Sequence, residues 1–160
     1  MFFSLGMLVA LVLGFTVAYR RAQKELKYDE RQEMYRNRGY KCATFAILFT
    51  NVAIMLLADF VAEQLSLRGV AMLTIMVGAV VYASYAILHD AYFGFQQKGS
   101  SYILLLSVVM VLNAGLGISR LLDGTFSEES GGLNLLIAIG FASILAVIFY
   151  KKIAEKGGEE

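Results

Sequence analysis

The chain has 160 residues, 58% of them hydrophobic and 17% charged, with no proline, a mean hydropathy of +0.64 and a net charge of +1. A soluble domain would carry about 25% charged and 45–50% apolar residues, so this composition argues against a water-soluble globular fold. One cysteine (Cys42) excludes an internal disulfide, and one histidine (His89) excludes a multi-histidine metal site.

Residues 2–19, FFSLGMLVALVLGFTVAY, are apolar from the start, and positive charge follows them at Arg20 and Arg21. A secretory signal peptide has the reverse layout. The stretch is therefore expected to be a retained first span with its N-terminus outside.

Residues 20–41 hold eight of the fourteen Lys and Arg residues: Arg20, Arg21, Lys24, Lys27, Arg31, Arg36, Arg38 and Lys41. Such a block resists translocation and tends to stay in the cytoplasm. Glu25, Asp29, Glu30 and Glu33 lie among the cations, and Arg21–Glu25 and Glu33–Arg36 have helical pair spacing. A mostly helical, water-facing extension of the first span is expected, breaking near residues 37–39. Its acidic residues read as salt-bridge partners rather than metal ligands. Its eight cations are candidate docking residues for a protein partner or for anionic lipid.

The segment KYDERQEMYRNRGYKCATFAILF resembles a loose set of small multi-span membrane proteins of Gram-positive bacteria. In these a DERQ-type segment precedes Gly-Tyr-Lys and an apolar helix. The matching residues here are Asp29, Glu30, Arg31, Gln32, Gly39, Tyr40 and Lys41. The resemblance implies a bacterial cytoplasmic membrane and carries no activity with it.

Four further apolar runs of spanning length follow, at about residues 42–65, 69–92, 101–121 and 132–150. Asp59 and Glu63, one turn apart at the end of the second span, make too small a donor set for a metal and are expected to snorkel outward near Arg68. The loop LDGTFSEESGG reads as an exposed turn and the tail KKIAEKGGEE as frayed. The expected fold is all-α, a single-domain polytopic membrane bundle of five transmembrane helices, N-terminus outside and C-terminus inside. Twelve of the fourteen Lys and Arg residues then face the cytoplasm, leaving only Arg68 and Arg120 outside.

Membrane helices associate through close contact of small residues and through polar groups. Gly6, Ala10, Gly14 and Ala18 mark such a face on the first span, Ala79 and Ala83 on the third, and Ala138, Ala142 and Ala146 on the fifth. Asn51 and Asn113, both near mid-span, could hydrogen-bond to each other or line a path. In the third span Gly78, Tyr82, Tyr85, His89 and Tyr92 recur at spacings of 4, 3, 4 and 3, one stripe of a helix. Its hydroxyls and imidazole could line a wet cavity or relay a proton. The plainer role is packing and an interfacial aromatic belt.

No GxSxG, HExxH, P-loop or GxGxxG motif occurs. Neither a catalytic residue nor a cofactor, a metal or a nucleic-acid partner is expected. Two functional classes fit. One is an accessory or regulatory subunit of a larger membrane complex, with self-association or another membrane protein as its contact. The other is a small homo-oligomeric transporter or channel whose path is lined by Asn51, Tyr82, Tyr85, His89 and Asn113. A weaker third is an intramembrane enzyme using His89 and Asp90.

Overall fold

The computed structural model describes residues 28–92 and 99–157. These form helices α1 (Glu30–Leu56), α2 (Ala58–Gln64), α3 (Leu67–Leu88), α4 (Gly99–Leu122) and α5 (Leu133–Gly157), with a π-helical turn over Glu128–Gly132. No strand occurs among the described residues. Four helices, α1, α3, α4 and α5, are long and apolar enough to cross a membrane. The expected first span, with its Gly6, Ala10, Gly14 and Ala18 stripe, lies outside the described residues.

The first departure from expectation is where α1 begins. The helix does not break near residues 37–39; it runs unbroken from Glu30 through the basic segment into the apolar run. Asp29 starts it, with extended φ −79° and ψ 166° and a carboxylate that accepts from the Gln32 N–H at 2.6 Å. Glu30 and Glu33 lie in the first turn, where negative charge suits the helix dipole. Gly39, which in isolation would weaken a helix by about 1 kcal/mol, is buried against α3. The interruption comes instead at Leu57, inside the expected second span, and α2 follows it. No Gly or Pro stands there, and Leu57 N–H to Ala53 and Val61 N–H to Leu57 keep the helical ladder across the join.

The helices pack in the order α1, α3, α5, α4. Along α1 and α3, Gly39 faces Tyr82 and Tyr85 while Ile47 faces Gly78, so the two run antiparallel. On the other side of α3, Met76 seats on Gly140 and Lys151 reaches Ile87, so α5 runs parallel to it. Gly117 of α4 receives Leu135 of α5. Helices α1 and α4 do not touch.

The core is built from Ala83, Ile87, Leu106, Ile144, Leu145 and Ile148. The alanine stripe of α5 is only partly used: Ala138 is buried, but Ala142 and Ala146 are exposed, as is Ala79 on α3. Bulky Ile144 and Ile148 fill the contact and Gly140 admits the neighbouring helix, so small residues alone did not mark this face. Outward, Phe49 is 76% and Leu122 80% exposed. Water would not tolerate so much apolar surface, but a bilayer would.

Each end of α3 is tied to another element. At its start Ser66 caps the helix, and Glu128 accepts from the Ser66 N–H at 2.7 Å and from its hydroxyl at 3.0 Å. The loop before α5 is therefore anchored rather than merely an exposed turn. At its end Asp90 takes a left-handed φ of 58°. Ala91 N–H returns to Ala86 and Asp90 N–H to Ile87, closing the helix in a Schellman turn whose small residues Ala86 and Ala91 are fully buried. Lys151 donates to the Ile87 carbonyl at 2.8 Å and to the Asp90 carboxylate. Helix α5 thus continues through the expected frayed tail as far as Gly157.

Candidate functional site

Two groups of residues that the sequence separates come together at one seam. The stripe of α3 faces the basic turns of α1. Tyr82 stacks on Tyr40 with ring centroids 4.4 Å apart, and Tyr85 stacks on His89 at 4.3 Å. Tyr35 lies against His89 at 4.5 Å. Arg36 donates from Nε to the Tyr82 hydroxyl at 3.2 Å, with its guanidinium 3.9 Å from the Tyr28 ring centre. Gln32 Nε2 donates to the Asp90 carbonyl at 2.8 Å.

This arrangement follows from register. Gly39 lets α1 approach until a Cβ there would meet Tyr85 and Tyr82 at 3.2 and 3.3 Å. That close approach sets α1 residues 32–41 abreast of the last two turns of α3. Arg36, expected as a docking cation, is therefore half-buried and engaged with tyrosines. The expected Glu33–Arg36 pair does not form, and the basic segment makes no ion pair among the described residues. Arg31, Arg38 and Lys41 are exposed. Arg20, Arg21, Lys24 and Lys27 lie outside the described residues.

Asn51 and Asn113 are not brought together. Asn51 is exposed on α1 and donates to its own helix at the Ile47 carbonyl, 2.9 Å away. Asn113 does the same at the Val109 carbonyl, 2.8 Å away. They sit on the two helices at opposite ends of the packing order, so equal depth gave no contact.

His89 and Asp90 do not form a catalytic pair. His89 Nδ1 lies 2.8 Å from the Tyr85 carbonyl. A carbonyl can only accept, so Nδ1 carries the hydrogen in this bond. The Asp90 carboxylate turns away to Lys151. Tyr92, just past α3, is half-buried; burial pushes its phenol above the ordinary range, with Tyr102 and Tyr28 adding to the effect. It is a neutral hydroxyl at physiological pH.

At the far end Asp59 and Glu63 are exposed, and Arg68 pairs with Glu129 at 3.5 Å instead of with them. Among the described residues no group of three or more His, Cys, Asp or Glu could hold a metal ion. Cys42 is exposed. Sequence reasoning missed Glu128, whose contact with Ser66 depends on the loop's fold. It also missed Asp29 as a cap, although Asp-x-x-Gln before a helical run is a readable N-terminal signal.

Comparison with family models, curated proteins and solved structures gives no match.

Proposed function

We propose that the chain is a small multi-pass protein of a bacterial cell membrane that serves as an accessory or regulatory subunit of a larger membrane complex. In this reading the basic end faces the cytoplasm, the expected first span completes a five-helix bundle, and the protein carries out no chemistry of its own. The observation that supports this most is the packing of the one candidate path. Tyr82, Tyr85 and His89 are covered by Gly39, Tyr40, Tyr35 and Arg36 of the same chain. Residues used to hold two helices together are poorly placed to pass a solute.

Purification from membranes in mild detergent, with quantitative mass spectrometry of what accompanies the protein, tests the reading. A larger membrane protein enriched in fixed stoichiometry is the expected result. A self-contained homo-oligomer with no enriched partner contradicts it.

The runner-up, a homo-oligomeric transporter or channel, is favoured by Asn51 alone. An amide on the exposed face of an apolar helix calls for a neighbouring helix to cover it. The charge bias requires any such oligomer to be parallel. Solute flux in reconstituted vesicles that is abolished by Asn51→Leu would establish this alternative.

A further inference from the structure

Three cations of α1 beside the seam make no ion pair among the described residues, and their surroundings are specific. The guanidinium carbons of Arg31 and Arg38 lie 5.7 and 6.0 Å from the centre of the Tyr35 ring, so one tyrosine gathers both. Lys41 follows Arg38 by three residues and lies on the same side of the helix. None of the three has an acidic partner among the described residues. Glu33 is rotated to the other side of α1, and Asp29 is committed to the helix cap.

Depth and continuity select the ligand. Gly39 opposite Tyr82 and Tyr85 places this cluster beside the final turns of α3, which in the membrane reading end at the bilayer boundary. Continuing along the same side of α1, four and seven residues beyond Lys41 and Arg38, comes Phe45, and then Phe49. They are 72% and 76% exposed. A strip with cations at the boundary and bare aromatic surface running inward from them matches a phosphate with its acyl chains attached. A soluble phosphate would use only the first half of it.

We infer that this face of α1 binds an anionic phospholipid, with the headgroup phosphate on Arg31, Arg38 and Lys41 and the acyl chains along Phe45 and Phe49. The inference rests on the membrane reading above, but not on the existence of a protein partner, so either can fail without the other. Bound lipid would fix the depth of α1 and hold its basic turns against the tyrosines of α3.

Native mass spectrometry of the full chain in detergent, titrated with phosphatidylglycerol or phosphatidylcholine, tests it. Retention of phosphatidylglycerol over phosphatidylcholine is expected. It should fall by roughly a hundredfold in R31Q/R38Q/K41Q, since each of the three cations near an anionic surface contributes about fivefold. The single variants R38Q and K41Q should each lose a few-fold, which keeps the test usable if the triple variant does not fold. K152Q/K156Q, at the exposed end of α5, should change nothing, and soluble glycerol phosphate should not displace the lipid. The inference is overturned by equal retention of the two lipids, as a second copy or residues 2–19 seated on this face would produce. Equal loss in K152Q/K156Q, or displacement by glycerol phosphate, also overturns it, by showing diffuse charge or free phosphate binding.

Discussion

At the scale of single residues the protein depends on glycines that admit a particular neighbour. A Cβ at Gly69 would collide with the Glu128 carboxylate that holds the Ser66 N–H and hydroxyl. Gly69→Ala is therefore expected to destabilise by about 1 kcal/mol, because Glu128 must leave two half-buried donors. In a Glu128→Ala background the added methyl meets no carboxylate, and the same substitution should be close to neutral. A double-mutant cycle on thermal unfolding in detergent measures this coupling; additive effects would show that Gly69 is not reserved for Glu128. None of this was legible in the sequence. Glu128 stood in a loop that read as solvent-exposed, and its target lies sixty-two positions earlier. The Asp29 cap, by contrast, is written in four consecutive residues and was readable.

At the scale of helices the apolar runs were legible, because a bilayer demands about 20 apolar residues in a row. The ends and pairings were not. Charge in residues 20–41 read as a water-facing helical extension of the first span that breaks near residues 37–39, but the helix continues through that point because α3 and the turn after it offer a tyrosine and a backbone carbonyl for Arg36 and Gln32 to bond. Likewise Asn51 and Asn113 matched in depth, yet depth cannot say which helices are neighbours. The α1–α3 contact rests on Gly39. Gly39→Leu is expected to push the helices apart and lower stability by about 1–3 kcal/mol, the usual range for overpacking. At the joint between α3 and α5, Lys151→Met should leave the Ile87 carbonyl and the Asp90 carboxylate without their shared donor. Since Asp90 is largely exposed, a loss of about 1 kcal/mol is expected. Both variants are checked by the thermal midpoint of the purified protein in one detergent.

For the molecule as a whole, composition already implied a membrane bundle, and four helices have the length and apolarity to span. The proposed orientation rests on the charge distribution. Reporter fusions read it: a C-terminal fluorescent protein should fold and fluoresce, whereas C-terminal alkaline phosphatase should be inactive, both of which require a cytoplasmic C-terminus. The opposite pattern would invert the proposed topology and move the basic seam to the outer leaflet.

The central claim is the register that lays the basic turns of α1 along the tyrosine stripe of α3. In a Cys42→Ser chain, the pair Tyr35→Cys and His89→Cys replaces two rings whose centres lie 4.5 Å apart. Treating intact membranes with a short thiol-bridging reagent should join the two within one chain, while a control pair of Asn37→Cys and His89→Cys should not join. Bridging in neither pair would mean that residues 30–41 lie away from α3 as a separate water-facing segment, bridging in the control alone would mean that α1 presents its other side to α3, and either result would make the account fail at its base.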